Sequence, residues 1–335
     1  MAQLTPETIW HMSDAEFSEC LDDGLFLPAS WRIRFYAPSF MYYKTCDYCS
    51  SPLVFPTISV TGSGCALRCK HCGGKVLETM YPVAKPEELV ELCRQLKEHG
   101  GVGCLVSGGC LSDGSVPLGG FVDAIGRVKR ELGLTVFVHT GIIDHATACS
   151  LVEAGVDAAL IDVVGSDETI REVYNLDVTV ADYERSLRAL SDSGIVFVPH
   201  VVAGLHHGRL KGELDALRMT SRYEPSAVVV IAFMPIRGTA MEKVVPLEPL
   251  GVARVVAAAR LMFRRTPLVL GCMRPKGRHR VETDVLAVKA GVDAVAFPAE
   301  EAVDYAKKQG FEVSFSPFCC SQVYADIKGL AALRK

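Results

Sequence analysis

Three closely spaced cysteines provide the clearest chemical signal in this chain. Cys65, Cys69 and Cys72 follow the pattern C-x3-C-x2-C, which lets three thiolates converge on one iron–sulfur cluster and leaves one iron without a protein ligand. A zinc knuckle and three unrelated core thiols are the alternatives. Structural zinc sites prefer four protein ligands, and His71 lies too close to Cys72 to complete a usual four-ligand pattern. The spacing therefore predicts an iron–sulfur site with an open coordination position.

A second set of paired thiols lies near the two ends of the sequence. Cys46 and Cys49 form a C-x2-C pair, and Cys319 and Cys320 are adjacent. A C-x2-C pair chelates one metal centre readily, and distant thiols can complete its coordination. We therefore predict a second cluster on these four cysteines, with a zinc site or free thiols as alternatives. Because adjacent cysteines do not easily bind together, Ser321 or a substrate could supply the fourth ligand.

Composition limits the protein class and its compartment. The chain has 335 residues, a hydrophobic share of 49% and a net charge of -4, which favours a soluble globular protein without a surface for nucleic acid or a membrane span. No signal-peptide pattern begins the sequence, so we expect a reducing cytoplasm, where grouped thiols are more often metal ligands than disulfides. Packing is the expected role of the isolated thiols. These are Cys20, Cys93, Cys104, Cys149 and Cys272.

Short apolar runs alternate with helical patterns along most of the chain. Runs rich in Val and Ile are typical of parallel strands that are buried on both faces, and their alternation with helices predicts an α/β fold, a full or nearly full parallel (β/α)8 TIM-type barrel. A six-strand partial barrel is the alternative. The predicted strands are 55–62, 102–109, 135–141, 158–165, 195–205, 227–235, 267–273 and 294–298. The predicted helices are 86–98, 122–132, 180–193, 211–223, 251–263 and 283–290.

This alternation divides the chain into three parts. Residues 53–310 form the predicted barrel, residues 1–52 an N-terminal extension with Cys46 and Cys49, and residues 311–335 a C-terminal tail with the adjacent cysteine pair. Because the termini of a closed barrel can meet over one mouth, the two extensions could build the second cluster together.

Several polar residues end predicted strands, and in a parallel barrel such positions line the active site. Arg274 ends the seventh strand and is expected at the barrel mouth, where its charge could hold a carboxylate, a sulfide or the edge of a cluster. A salt bridge at the rim is the alternative. His139, His200 and His206 also end strands, although a single histidine there is more often a hydrogen-bonded structural residue.

The motifs together resemble the radical SAM (S-adenosylmethionine) superfamily, in its biotin-synthase-like branch. The similarity is greatest to the archaeal-type proteins that form one half of a two-protein lipoyl synthase. The segments that carry it are 65–75, 107–109, 199–205, 238–239, 271–275 and 319–320.

The resemblance implies a 4Fe-4S cluster on the three-cysteine loop, with SAM bound to its open iron. The residues implied in SAM binding are Ser107, Gly108, Gly109, Asp162, His200 and Met234. The glycine turn would hold the amino group of SAM through backbone carbonyls, and Asp162 would bind a ribose hydroxyl. The segment around Met234 would contact the adenine. Cys110 stands where the family usually has a glutamate after the glycines.

The implied reaction is sulfur insertion into an octanoyl chain attached to a lysine of a lipoyl carrier domain. A radical formed from SAM would abstract hydrogen, and an auxiliary 4Fe-4S cluster would donate sulfur. The implied partners are a homologous second subunit, the octanoylated carrier domain and an electron donor such as ferredoxin. The rival hypotheses are a biotin-synthase-like or hydrogenase-maturation enzyme acting on a small molecule, and a non-catalytic iron–sulfur or zinc scaffold.

Overall fold

The structure of this chain is a computed structural model that describes residues 4–26, 31–51 and 53–332. Its strands are β1 (Arg32–Tyr36), β2 (Thr57–Ser59), β3 (Tyr81–Pro82), β4 (Gly103–Ser107), β5 (Thr135–His139), β6 (Ala158–Asp162), β7 (Phe197–Ala203), β8 (Val228–Ala232), β9 (Leu268–Leu270), β10 (Ala294–Ala296) and β11 (Glu312–Ser316). Its α-helices are α1 (Pro6–His11), α2 (Asp14–Asp22), α3 (Pro86–Glu98), α4 (Val122–Arg127), α5 (His145–Glu153), α6 (Asp167–Tyr174), α7 (Val180–Ser193), α8 (Glu213–Ser221), α9 (Pro249–Met262), α10 (Arg278–Lys289), α11 (Glu300–Lys308) and α12 (Val323–Ala332). Short 3-10 helices cover Lys75–Thr79, Leu118–Phe121 and Cys320–Gln322, and a π-helical turn covers Val128–Leu132.

The strands form one parallel sheet in the order β11-β1-β10-β9-β8-β7-β6-β5-β4-β2-β3. The sheet curls into a half-barrel with helices packed around it, which confirms the predicted parallel TIM-type fold. Each of the eight predicted strands contains one observed strand, from β2 and then β4 through β10. Their side chains are buried on both faces, as the Val- and Ile-rich runs indicate.

Both flanks contribute a strand to this sheet. The sequence pattern did not predict the strand of the N-terminal flank, β1. β1 lies between β10 and β11, with Arg34 paired to Ala294 and Phe35 to Phe315. β11 lies at the start of the C-terminal tail, where polar and apolar residues alternate from Phe311 to Phe315. The two predicted extensions, 1–52 and 311–335, therefore each contribute one strand to the sheet, β1 and β11.

The chain after β11 packs on the inner face of the curled sheet. The Phe318 ring lies 5.8 Å from that of Phe55, just before β2, and the Tyr324 hydroxyl donates to the Asp157 carbonyl at 2.9 Å, just before β6. Cys319 and Cys320 are buried in the same inner core. The tail thus crosses the interior near strands from both halves of the sheet, and this position brings its cysteines toward the strand ends.

Local sequence signals account for the helix boundaries. Thr179 and Asp182 form a capping box that begins α7, and Gly194, with a φ of 75°, ends it, as expected for a residue without a Cβ in the left-handed region. Pro86 occupies the first turn of α3, where its missing N–H costs no hydrogen bond. Within the described ranges, no helix has both the length and the apolar character needed to cross a membrane.

Candidate active site

The three-cysteine loop leaves the end of β2 and is held by a tight turn. The backbone N–H groups of Cys72 and Gly73 donate to the Cys69 carbonyl at 3.2 and 2.7 Å. The Cys69 thiol is buried and donates to the Tyr174 carbonyl at 3.4 Å. The turn therefore places Cys69 and Cys72 on one side of the loop, as chelation by both requires.

Residues at the end of α6 fix the outer side of this loop. The Asn175 amide donates to the carbonyls of Leu67 and Arg68 at 3.2 and 3.1 Å, and the Lys70 N–H donates to the Val173 carbonyl at 2.7 Å. Arg68 has a φ of 47°, an uncommon conformation for a residue with a side chain. The Asn175 contacts hold the loop in this shape before any ligand binds.

The predicted glycine turn after β4 packs directly against the cysteine loop. Thr61 joins the two segments, because its hydroxyl accepts from the Gly109 N–H at 2.7 Å and donates to the Gly64 carbonyl at 2.8 Å. A Cβ at position 109 would lie 2.0 Å from the Gly64 oxygen and 2.6 Å from the Cys65 Cβ. Only glycine permits this approach, so the turn is part of the scaffold that shapes the cysteine loop.

We expect Gly109→Ala to displace the cysteine loop and to destabilise the protein by about 1–3 kcal/mol, the usual cost of overpacking. The amount of iron that this variant binds after anaerobic reconstitution should also be lower than in the wild type. Gly119→Ala is the matched control, because a Cβ there would meet nothing within 4 Å. Thermal unfolding and iron analysis of both variants test this. Equal iron content in the two variants would contradict the proposed role of the turn.

The thiols of the loop differ in their protonation. The neighbouring Cys69 thiol, together with His71, lowers the pKa of Cys72 despite its burial, and the pKa of Cys69 is raised in return. Burial and the nearby Cys65 raise the pKa of Cys110 to about 12. Cys72 is thus poised as a thiolate, the form that binds metals, whereas Cys110 stays a neutral thiol.

The histidine between the last two cysteines also turns toward them. Nδ1 of His71 is buried without a hydrogen-bond partner, and ligand atoms of Cys69, His71 and Cys72 lie within 4.8 Å of one another. These three residues could bind a single ion together, so the geometry alone is compatible with a zinc ion on the loop.

Two adjoining cavities extend from the loop into the sheet interior. The first, about 250 Å³, is lined by the three cysteines and the glycine turn. The second, about 320 Å³, continues to His200, Met234, Cys272, Cys319 and Cys320. They share lining residues, among them Cys72, Ser107, His139 and Asp162. The predicted SAM-binding residues and the tail cysteines therefore border one continuous space.

A polar group of three residues lies where the cavities meet. His139 Nε2 is 3.5 Å from Asp162 Oδ1, and each side chain keeps a quarter to a third of its surface open to the cavity. The His200 ring lies 5.8 Å from that of His139, and its Nδ1 contacts the Val198 carbonyl at 3.1 Å. Sequence reasoning gave His139 a structural role, although it is the last residue of β5, whereas His200 lies within β7.

Burial and mutual charge set the protonation of this group. Burial disfavours a charged His139, but the Asp162 carboxylate outweighs it and raises the pKa of His139. Burial likewise opposes ionisation of Asp162, yet His139 lowers the pKa of that carboxyl. Burial and the neighbouring His139 lower the pKa of His200 to about 4. An ionised carboxylate beside a neutral His200 can accept and donate hydrogen bonds to hydroxyl groups of a ligand.

The segment after β8 packs against the end of the cysteine loop. Met234 lines the larger cavity. A Cβ at Gly238 would lie 2.8 Å from Lys75 Cε, and one at Gly73 would lie 3.8 Å from Thr239 Cγ2. The Gly-Thr segment therefore packs against the end of the cysteine loop, next to the part of the cavity wall that Met234 and Ile236 form.

Arg274 does not face the cavity as expected. Its side chain is fully buried and forms a two-pronged ion pair with Asp284 on α10, at 2.5 and 2.8 Å. The guanidinium also donates to the carbonyls of Gly271 at 2.6 Å and Phe297 at 3.1 Å. A carboxylate ten residues further along the chain satisfies the charge, so the structure shows the salt-bridge alternative and corrects the catalytic prediction.

The four cysteines of the predicted second cluster are not brought together. Cys46 and Cys49 are exposed in a small hairpin bridged between Lys44 and Cys49, and the Cys46 N–H donates to Glu300 Oε1 at 3.0 Å. Cys319 and Cys320 are buried and line the cavity. Within the described residues, the first pair lies on the side of α11 and the second pair lies inside the sheet.

The fold is a curled parallel sheet, and a loop with three thiols lies at the end of one strand. This arrangement is typical of a protein that binds a metal cofactor in its interior. The family model of the radical SAM superfamily matches residues 59–209 of this chain. A biotin synthase from Prochlorococcus marinus (strain NATL2A) is 26% identical over 251 residues, which cover 72% of this chain and 70% of that protein. Among solved structures, methylornithine synthase (PylB) has a TM-score of 0.64 at 18% identity, with 97% of this chain and 95% of that chain covered. The FeFe-hydrogenase maturase HydG from Carboxydothermus hydrogenoformans has a TM-score of 0.62 at 16% identity, with 92% and 75% covered.

Residues 59–209 of this chain are therefore similar to the radical SAM superfamily, and biotin synthases are among its curated relatives. The matched residues contain the cysteine loop, the glycine turn and the polar group of His139, Asp162 and His200. This similarity favours an iron–sulfur cluster over a zinc ion on the loop. The two structural likenesses establish the shared fold.

Proposed function

We propose that this chain is a radical SAM sulfurtransferase that inserts sulfur into a protein-bound octanoyl chain, as one of two homologous lipoyl synthase subunits. The observation that carries the proposal is the continuous cavity between the cysteine loop and the buried tail cysteines. A radical source and a sulfur source must both reach one substrate carbon, and this cavity provides thiols at two separate places on its wall.

The residues of the loop fit the cofactor that the superfamily requires. Cys65, Cys69 and Cys72 would hold the cluster, and the close contact at Gly109 leaves backbone groups beside it for SAM. When bound, the cluster and SAM supply the removal of hydrogen from an unactivated carbon, which no side-chain acid or base achieves. Asp162 and the neutral His200 would orient the ligand by hydrogen bonds.

The wall of the larger cavity suits a hydrocarbon chain. At about 320 Å³ it is within the range of small-ligand pockets, roughly 300–1,000 Å³. Its lining is largely apolar, with side chains from the inner faces of the central strands, and includes Phe40, Leu105, Leu160, Val229 and Ile231. An octanoyl chain inserted from the mouth would displace water from this wall and keep the reacting carbon dry.

The proposed partners follow from the same reaction. The acyl chain would arrive on the lysine of a carrier domain, so the substrate is a second protein. A homologous subunit would perform the other insertion, and an electron donor such as ferredoxin would reduce the cluster.

The proposal is tested with a carrier-domain peptide whose octanoyl-lysine is deuterated along the chain. Incubation with the reconstituted protein, reductant and SAM should place deuterium in 5'-deoxyadenosine, measured by mass spectrometry. A matched peptide with an acetylated lysine should give none, because its acyl group is too short to enter the cavity. Transfer of deuterium to 5'-deoxyadenosine from a deuterated small molecule such as a biotin precursor, with no transfer from the octanoyl peptide, would contradict the proposal. It would support the alternative of an enzyme that acts on a small molecule.

A further inference from the structure

The loop after β7 and the outer side of α6 bring two histidines and two glutamates together. Sequence reasoning placed His206 at the end of a strand, but β7 ends at Ala203, and His206 is not among the described residues that line the two cavities. Ligand atoms of Glu168, Glu172 and His206 instead lie within 4.8 Å of one another. We propose that these three side chains, with the adjacent His207, bind one zinc-type divalent ion that joins α6 to this loop.

The distances within this group suit metal ligands better than hydrogen bonds. Nε2 of His206 lies 3.5 Å from Glu168 Oε1, and Nε2 of His207 lies 3.7 Å from Glu172 Oε2. Both distances exceed the usual range for an N–H···O hydrogen bond, about 2.7–3.2 Å. Ligand atoms about 2.0–2.2 Å from a tetrahedral zinc ion are about 3.3–3.6 Å apart. His206 and Glu168 are therefore already spaced as two ligands of one ion, and His207 lies close to that spacing from Glu172.

Thr169 orients the ring of His206. Its side chain is buried, and its hydroxyl contacts His206 Nδ1 at 3.1 Å. When this hydroxyl accepts the hydrogen bond from Nδ1–H, Nε2 keeps the lone pair that a metal ion requires. Metal-binding histidines usually have such a partner on their second nitrogen, which fixes the ring and its tautomer. Thr169 is therefore the positioning residue of the proposed site.

A tight turn presents the two adjacent histidines to α6. The N–H groups of Gly208 and Arg209 donate to the carbonyls of Gly204 and His206 at 2.9 and 3.0 Å. His207 has a φ of 52°, an uncommon conformation for a residue with a side chain. The two imidazole rings lie 5.2 Å apart, edge to face. The backbone of the turn therefore holds both rings in place.

The glutamates supply the negative charge of the group. Glu168 and Glu172 are four residues apart on α6, so their side chains lie on the same side of the helix. The Lys211 ammonium pairs with Glu168 and so competes with a metal ion for this carboxylate. Mixed imidazole and carboxylate ligands suit zinc, whereas magnesium and calcium prefer oxygen ligands alone. The donor set therefore favours zinc, and Lys211 should weaken its binding.

An ion at this place would fasten two segments that border the candidate active site. At the end of α6, the Val173 carbonyl accepts from the Lys70 N–H of the cysteine loop at 2.7 Å. In the loop after β7, Leu205 precedes His206 and lines the larger cavity. The proposed role is therefore structural, and it does not depend on which substrate the cavity takes.

The test measures zinc bound to the full-length, iron-reconstituted protein after equilibrium dialysis against buffered Zn²⁺. We expect the wild type to bind one more zinc per chain than His206→Ala. Glu172→Gln should lose the same ion, and it keeps the result interpretable if His206→Ala misfolds, because Glu172 is half exposed and glutamine has the same shape. His99→Ala is the matched control, since His99 is an exposed histidine at the end of α3. It should bind zinc as the wild type does.

X-ray absorption at the zinc edge distinguishes this site from zinc on thiols. The ion that His206→Ala loses should have nitrogen and oxygen ligands at about 2.0–2.2 Å, whereas cysteine ligands would place sulfur at about 2.3 Å. Thr169→Val should weaken binding about 10–100-fold, because it removes the partner of the ligating ring, and Lys211→Met should strengthen it. Equal zinc content in the wild type, His206→Ala and Glu172→Gln, or sulfur ligands on the ion that is lost, would overturn the proposal.

Discussion

Replacement of Cys65, Cys69 or Cys72 by alanine is expected to abolish SAM cleavage and to remove about four irons per chain. In the proposed site each cysteine would supply one of three thiolates, and no described residue beside the loop offers a replacement thiolate, since Cys110 is held as a neutral thiol with a pKa raised to about 12. The measurement is 5'-deoxyadenosine formed per chain under strong reductant, together with iron analysis.

The control for these variants is Cys149→Ala on α5, a half-buried thiol outside both cavities. It should keep wild-type iron and SAM cleavage. Circular dichroism should show the same fold in all variants, because each replacement of cysteine by alanine removes a single sulfur atom. If any of the three loop variants still cleaves SAM at the wild-type rate, that cysteine is not a cluster ligand.

Arg274→Ala is expected to lower the free energy of unfolding by about 3–5 kcal/mol, because it leaves the Asp284 carboxylate buried and unpaired. Both side chains are fully buried, and the guanidinium also satisfies two backbone carbonyls that would lose their donor. Urea and thermal denaturation followed by circular dichroism measure the loss. This would be among the largest stability effects of a single substitution outside the metal sites.

Arg278→Ala provides the matched control for the buried pair. Arg278 is almost fully exposed and pairs with Glu282 on the same helix, so its removal should change stability by no more than about 0.5 kcal/mol. If Arg274→Ala is as mild as this control while SAM cleavage is lost, Arg274 acts in the site, as its position after the seventh strand first indicated.

The periodic part of the fold could be predicted from the sequence because local pattern determines it. The predicted helices 86–98 and 180–193 match α3 and α7 at both ends, since proline, capping residues and a terminal glycine mark them. β1 was missed because its alternation of arginine with apolar residues is short and lies in an aromatic stretch. Its place between β10 and β11 depends on pairing with residues 260 and 280 positions away.

The same distinction holds for the site. The cysteine loop could be predicted because its ligands lie within one turn of chain. The buried pair of Arg274 and Asp284, the cavity position of Cys272 and the separation of Cys46 from Cys319 all depend on how distant elements pack. Spacing along the chain carries no information about such contacts. Cys272 lies in an apolar run, and there the sequence cannot tell a thiol that faces the core from one that faces a cavity.

The most direct test of sulfur insertion is the mass of the octanoyl peptide after one round of reaction with the reconstituted protein, reductant and SAM. We expect the mass of the peptide to increase by one sulfur, with no loss of carbon. The amount of product should not exceed one per chain, because each chain has a single sulfur donor. The Cys319→Ala/Cys320→Ala variant should cleave SAM without forming this product. An unmodified peptide beside abundant 5'-deoxyadenosine, with the homologous subunit also present, would contradict sulfur insertion by this chain.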